Sequence, residues 1–245
     1  MQNAALAASG LGNWRYQHLP VPPELFAEIA KALPAAGFRG ANVTIPHKET
    51  ALAVADRASD RARAIGAANT LLFSADGSIE ADNTDAPALI AAIPFEVAGK
   101  TALVLGAGGS ARAAVWALLD AGVAEVRVWN RTPERAEALC SEIGGRPVSA
   151  ADPADLLVHC TSSGLDDPET TFKQLPIEAD GVDRYRCVVD FVYTDSGTRL
   201  AQAAVDKSIP VIDGLELLVG QGALSFERFT GLPAPMDAMR RAVGR

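Results

Sequence analysis

The sequence predicts an α/β chain in two domains, and three observations carry that prediction. From about residue 100 onward, apolar runs of strand length alternate regularly with helical stripes, the pattern of a parallel, doubly wound sheet. A glycine-rich turn over 106–111 falls between the first of those runs and the first stripe. The residues before 100 keep another rhythm, in which helix, short-strand and hairpin signals mix. With 245 residues and 49% hydrophobic content, the chain has material for two packed cores, so disorder is not its default state.

Pro23 opens a stretch in which Leu25, Phe26, Ile29 and Leu33 recur at helical spacing, which predicts an amphipathic helix over 23–33. Gly37 and Gly40 break that pattern, and 41–45 reads as a short buried strand stopped by Pro46. Residues 71–73 and 79–82 flank the turn residues Ala75, Asp76 and Gly77, a hairpin signal with Asn69 and Asp85 at its outer ends. Strands are then expected near 101–105, 125–129, 156–160, 188–192 and 209–212. Helices over 110–121 and 133–143 supply the first crossovers and stop at Gly122 and Gly144. Residues 165–185 carry few periodic signals and read as a loop with a short helix. Beyond Gly214 a helical stripe runs through Leu217, Leu218, Gln221, Leu224, Ser225 and Phe229, and Pro233 and Pro235 set off a last short helix. The predicted domains are 1–97, completed by 215–245, and 98–214.

Acidic residues outnumber basic ones 30 to 22, and the resulting net charge of −8 argues against nucleic acid or an anionic membrane as partner. No apolar run approaches the roughly 20 residues that a membrane span needs. The N-terminus lacks the basic segment and apolar run of a signal peptide. Cys140, Cys160 and Cys187 are odd in number and widely spaced, without a metal-ligand pattern, and are expected as reduced thiols in a cytoplasmic protein that holds no metal.

The turn Gly106, Ala107, Gly108, Gly109, Ser110, Ala111 fits GxGxxA, and its place between a buried strand and a helix gives the match physical meaning. Gly106 permits a tight turn, Gly108 lets a pyrophosphate approach the backbone, and Ala111 permits close packing of helix on strand. The helix N-terminus then faces the phosphates. Together with the alternating strands this is a Rossmann, doubly wound dinucleotide-binding domain. NAD-binding domains usually place an acid at the end of the second strand, where it accepts from the ribose hydroxyls. Here that strand ends in Asn130, Arg131 and Thr132, with Arg135 one turn later. A guanidinium cannot accept, but it pairs with a 2′-phosphate, so the expected cofactor is NADP.

The run Gly40, Ala41, Asn42, Val43, Thr44, Ile45, Pro46, His47, Lys48 closely resembles the signature of the shikimate dehydrogenase family. Residues 66–70 look like the family's GAxNT element, 82–85 its NTD element and 214–221 its GxxxLxxQ element, in the same order and spacing. Asn130, Arg131, Thr132 and Arg135 are similar to its NADP clamp. The resemblance, which covers almost the whole chain, implies that Lys48 and Asp85 flank the reacting hydroxyl. It implies substrate-binding roles for Thr44, Asn69, Gln221 and Tyr193, the last also near the nicotinamide, and cofactor-binding roles for Thr161 and Gly214. Oxidising a secondary alcohol removes a hydride and a proton, and the proton needs a positioned acid or base, for which Lys48 is the candidate. Both ammonium donor and neutral base fit the sequence. Asn69 and Gln221 offer donors and acceptors to a polyhydroxylated ring. His47, beside Lys48, is given no such role and is expected to be structural.

Two departures qualify the match. Family members open with a strand and a loop bearing paired serines that bind the substrate carboxylate, whereas Met1, Gln2, Asn3, Ala4 and Ala5 already look like the helix that follows. The expectation is that the natural start lies upstream, since a missing strand leaves a sheet position unfilled. Asp195 stands where the family often has proline. The implied activity is NADP-linked interconversion of 3-dehydroshikimate and shikimate, by a monomer or homodimer. A quinate or aminoshikimate dehydrogenase and a noncatalytic NADP-binding homologue stay as alternatives.

Overall fold

The structure is a computed structural model that describes residues 1–194 and 197–245, so Asp195 lies outside the described residues. The chain forms two compact units, Met1–Ala88 with Leu218–Arg245, and Leu89–Leu217.

The first unit is built on a four-stranded sheet. In chain order it contains α1 (Gln2–Ala8), α2 (Phe26–Ala32), β1 (Gly40–Asn42), α3 (Lys48–Ala53), β2 (Arg57–Ala58), α4 (Asp60–Ile65), β3 (Thr70–Phe73), β4 (Ile79–Asp82) and the start of α5 (Asp85–Ala92). The strands lie in the order β1-β3-β4-β2, with β3 antiparallel to both its neighbours and β2 parallel to β4. The expected hairpin is β3–β4, in which Phe73 pairs with Ile79 and the Ser78 carbonyl accepts from the Ser74 N–H at 3.0 Å. Leu71, Phe73, Ile79 and Ala81 are buried with Phe26 and Ala30 of α2 and Ala51 of α3. The helix expected over 23–33 begins as a 3₁₀ turn, Pro23–Leu25, and continues as α2.

The strand expected over 41–45 is corrected to Gly40–Asn42. Val43 still donates to the Asn69 carbonyl at 2.7 Å, but at Thr44 the chain turns toward α3, and the Thr44 carbonyl accepts from the His47 N–H at 3.0 Å. That turn lifts Ile45 out of the core, where it is 56% exposed.

The second unit holds six parallel strands. They are β5 (Thr101–Leu105), β6 (Glu125–Trp129), β7 (Arg146–Pro147), β8 (Ala154–His159), β9 (Tyr185–Asp190) and β10 (Val211–Ile212). α6 (Gly109–Asp120) and α7 (Pro133–Ile143) link the first three strands, and α8 (Arg199–Asp206) links the last two. The order is β10-β9-β8-β5-β6-β7, which reverses direction between β5 and β8. Ligands of open parallel sheets bind beyond the strand C-termini at such a switch point. On one face Leu103, Leu105, Leu157 and Val188 pack with Leu200 and Ala204 of α8. α6 buries Ala111, Ala114, Val115 and Leu118, a helical stripe of the expected period. Residues 165–185, expected to hold one short helix, contain three 3₁₀ segments, Pro168–Thr170, Phe172–Gln174 and Ala179–Arg184.

After α9 (Gly214–Thr230) and α10 (Met236–Arg241) the chain has returned to the first unit. There Val219, Ala223 and Phe226 of α9 and Met239 of α10 pack on Ala5 and Leu6 of α1. No helix among the described residues is long and apolar enough to cross a membrane.

All three cysteines are buried and unbridged. Burial raises the Cys140 thiol above its usual range and pushes Cys187 up to about 11. Since the thiolate is the reacting form, both lack of access and low ionisation slow alkylation. The folded protein is therefore expected to react slowly with a thiol reagent at neutral pH, and to release three reactive thiols in denaturant. Rapid labelling of the native protein would contradict this packing.

Candidate active site

In the first unit, four residues singled out in the sequence come together as one hydrogen-bonded cluster. Lys48 is the first residue of α3 and Asp85 the first of α5, so the two helix starts face one another. The Lys48 Nζ donates to Asp85 Oδ2 at 2.7 Å, and each side chain retains only a tenth or less of its exposure. The other carboxylate oxygen, Oδ1, accepts from Asn69 Nδ2 at 2.8 Å. Asn69 stands at the mouth of the β3–β4 hairpin, and its Nδ2 lies 3.3 Å from Gln221 Oε1 on α9. Gln221 is anchored by its own amide, which donates to the Leu218 carbonyl at 3.0 Å.

This cluster rests on hydroxyls that the sequence reading did not select. Asn69 Oδ1 accepts from the Thr84 N–H at 2.8 Å and from the Thr84 and Thr70 hydroxyls at 3.1 Å each. Ser225, fully buried one turn beyond Gln221, lies 2.9 Å from Thr70 Oγ1 and 3.1 Å from Thr84 Oγ1, and accepts from Asn42 Nδ2 at 2.7 Å. The side-chain carbonyl of Asn69 is thereby saturated, which fixes which way its amide nitrogen points. Two signals were available: Thr70 and Thr84 sit within the NT and NTD segments, and Ser225 follows Gln221 at helical spacing.

Thr44 behaves differently. It is exposed in the turn before α3, and among the described residues no hydrogen bond joins its side chain to the cluster. His47 stacks on Phe26 with 4.5 Å between ring centroids, and its Nε2 lies 3.0 Å from the Val21 carbonyl oxygen. That contact ties the ring to the segment that leads into α2.

The second unit gathers the other candidates at the C-terminal ends of its strands. Gly106 leaves β5 with φ +118°, and a Cβ there would stand 3.1 Å from the backbone carbonyl of Cys160. At Gly108 a Cβ would meet nothing within 4 Å. The fold alone does not demand glycine there, but a ligand pressed against the backbone would. Gly109, Ser110 and Ala111 open α6, whose first turn carries no acidic side chain to repel an anion. At the end of β6, Asn130 Nδ2 donates to the Thr132 carbonyl at 2.9 Å, which closes the turn into α7. Arg131 and Arg135 project from that turn, both exposed and, among the described residues, without an ion-pair partner. The residues present thus fit a phosphate-bearing dinucleotide with an additional anionic group near Arg131.

Thr161 follows β8 and is half-buried, and Tyr193 follows β9 and is 46% exposed. Gly214 opens α9, where a Cβ would come within 2.6 Å of the Val192 carbonyl oxygen and 2.8 Å of Tyr193 Cβ. Only glycine allows α9 to start that close to the segment after β9. Asp213 caps this start by accepting from the Leu215 and Glu216 N–H groups at 3.1 Å each.

A sheet of order 3-2-1-4-5-6 with a GxGxxA turn, together with a buried lysine–carboxylate pair in a separate α/β unit, defines a dinucleotide-binding protein equipped to handle a proton. Comparison with known families makes this specific. Residues 1–71 match the shikimate dehydrogenase substrate binding domain, 89–163 the shikimate/quinate 5-dehydrogenase family and 214–243 the shikimate 5′-dehydrogenase C-terminal domain. The shikimate dehydrogenase (NADP(+)) of Paracoccus denitrificans is 44% identical over 93% of this chain and 84% of its own length. That of Thermus thermophilus is 42% identical over 100% of this chain and 93% of its own. The crystal structure of a Thermus thermophilus shikimate 5-dehydrogenase in complex with NADP(H) and shikimate superposes with a TM-score of 0.85 at 40% identity, covering 99% of this chain and 92% of that one. The chain belongs to the shikimate dehydrogenase family.

Proposed function

We propose that this protein is an NADP-dependent shikimate dehydrogenase that reversibly reduces 3-dehydroshikimate to shikimate, a step toward chorismate and the aromatic amino acids. The observation that carries the reading is the buried Lys48–Asp85 pair, 2.7 Å apart and joined to Asn69 and Gln221, in a chain so similar to relatives of that name. A buried ion pair is weak evidence of stability, and a wholly apolar contact would serve packing at least as well. Its retention beside two amides fits a site for a polyhydroxylated ring.

NADP, when bound, exchanges a hydride with the carbon that bears the reacting oxygen. Lys48 manages the accompanying proton: its Nζ donates to the ketone oxygen in reduction and takes the hydroxyl proton in oxidation. Asp85 holds that nitrogen in place and balances its charge. Asn69 and Gln221 bind the neighbouring hydroxyls, one of which replaces the long 3.3 Å contact between the two amides. Thr44 adds a substrate contact, and Tyr193 is assigned a place near the nicotinamide. Domains of 1–97 with 215–245 and of 98–214 serve for substrate binding and NADP binding respectively. The protein acts in the cytoplasm as a monomer or homodimer.

Gly106, Gly108, Gly109, Ser110 and Ala111 would hold the pyrophosphate, and Asn130, Arg131, Thr132 and Arg135 the adenosine 2′-phosphate, with Thr161 and Gly214 nearer the nicotinamide. Arg131→Glu is expected to weaken NADPH binding by roughly tenfold or more through loss of a charge-assisted contact, and NADH binding much less. Titration of both cofactors checks this, and an equal loss for the two contradicts a 2′-phosphate contact. The substrate is tested by NADP-linked turnover of shikimate, quinate and aminoshikimate in parallel. Shikimate is expected to be the preferred acid, and preference for either of the others would overturn that assignment.

A further inference from the structure

We propose that His159 and Asp190 are positioning residues that fix the hydroxyl of Thr161 as a hydrogen-bond acceptor toward the bound dinucleotide, an inference that rests on the NADP-binding reading of the second unit. His159 ends β8 and Asp190 ends β9, and the parallel register sets the two side by side, with Leu105 of β5 on the other side of His159. They therefore lie at the strand ends where Gly106 leaves the sheet. Both are almost completely inaccessible, at 0% and 1% exposure. Neither takes part in the chemistry described above, and a buried imidazole and carboxylate are expensive to retain for packing alone.

The hydrogen bonds determine where each proton sits. Asp190 Oδ1 accepts from the Val192 N–H at 3.0 Å and lies 2.9 Å from His159 Nδ1, while Oδ2 accepts from the Thr198 hydroxyl. An ionised carboxylate can only accept, so His159 Nδ1 carries a hydrogen. The second ring nitrogen, Nε2, lies 2.7 Å from Thr161 Oγ1. With Nδ1–H donating to Asp190, the proposed arrangement has Nε2 accepting the Thr161 hydroxyl proton.

Thr161 Oγ1 also accepts from the Ser163 N–H at 3.1 Å. A hydroxyl has one donor and two acceptor sites, so Thr161 is left with a single lone pair. Thr161 abuts the glycine turn, since a Cβ on Gly106 would lie 3.3 Å from its backbone nitrogen. A cofactor group that meets this lone pair must donate, as a ribose hydroxyl or the carboxamide N–H of a nicotinamide does. A phosphate oxygen is excluded, because it would confront an acceptor with an acceptor.

The test combines a spectroscopic and a binding measurement on the full chain. Only three histidines are present, so ring ¹⁵N–¹H correlation spectra are simple, and His159→Gln assigns the relevant signals by their loss. His159 is expected to show hydrogen on Nδ1 and a bare Nε2 whose resonance moves in Thr161→Val. In that variant, which keeps the branched shape, NADPH affinity is expected to fall about tenfold, and Thr161→Ser is expected to restore it. Asp190→Leu, which removes the acceptor that holds hydrogen on Nδ1, is expected to shift the ring hydrogen toward Nε2 and lower NADPH affinity likewise. A His159 ring protonated on Nε2 in the wild type, or wild-type NADPH affinity in Thr161→Val, overturns the inference while leaving NADP dependence intact. Failure of the wild type itself to bind NADPH overturns both.

Discussion

Lys48→Ala is expected to lower kcat by roughly 10²–10⁴-fold, the range by which a positioned proton-transfer group accelerates a reaction. The dissociation constant for NADPH should stay unchanged, because Lys48 belongs to the first unit and the glycine turn to the second. The same substitution strands Asp85 in a site where its side chain is 8% exposed. Breaking a buried pair by removing one partner costs about 3–5 kcal/mol, so the variant should also melt at lower temperature. The Asn69 amide still donates to Asp85 Oδ1 and softens that loss. Lys48→Met separates the two effects: it fills most of the space, and it should be as inactive as the alanine variant although better packed. Turnover within about twofold of wild type in a folded Lys48→Met protein removes Lys48 from proton transfer.

Gly106→Ala should abolish detectable NADPH binding and destabilise the second unit together. The residue has φ +118°, outside the regions open to alanine, and the new methyl would come within 3.1 Å of the Cys160 backbone. Backbone cannot move aside as a flexible side chain would, because Cys160 N–H donates to the Leu105 carbonyl at 2.8 Å in the centre of the sheet. Strain of this type costs about 1–3 kcal/mol, and relief requires the turn to leave the geometry in which Gly108 would receive the proposed pyrophosphate. Gly108→Ala is the informative contrast. Its Cβ meets nothing within 4 Å, so stability should hold while NADPH binding falls. Equal stability and equal NADPH affinity in both alanine variants would contradict a pyrophosphate seat at this turn.

How much could be read in advance depended on the length of each element. β5 and β6 lie where their apolar runs predict, and α6 and α7 match to within a residue, because each displays several turns or a full buried strand. α3 and α4 have six residues each and α8 has eight, too few turns for a period to emerge. β2 and β7 are two-residue strands whose pairing is a tertiary event with no local pattern. The strand after Gly40 was read too long, since Val43 and Ile45 look alike in sequence and only the turn at Thr44 separates a buried residue from an exposed one. For the site, residue types in long motifs were legible, and the cluster of Lys48, Asp85, Asn69 and Gln221 brings together residues up to 173 positions apart, from Lys48 to Gln221. Thr70, Thr84 and Ser225 lie in or beside the motif segments, but their hydroxyl network was not legible, because a buried serine or threonine gains its partners only in the fold. Nor was the His159–Asp190 pair, which exists through the register of β8 and β9.

The account is tested most directly by the absorbance of reduced nicotinamide when this 245-residue chain is mixed with NADP and shikimate, with Lys48→Met alongside. Steady formation of NADPH by the wild type, and at least a hundredfold less by the variant, is the predicted result. A wild-type protein that binds NADPH yet turns over no ring acid would contradict it, and would make this family member a cofactor-binding protein without the reaction.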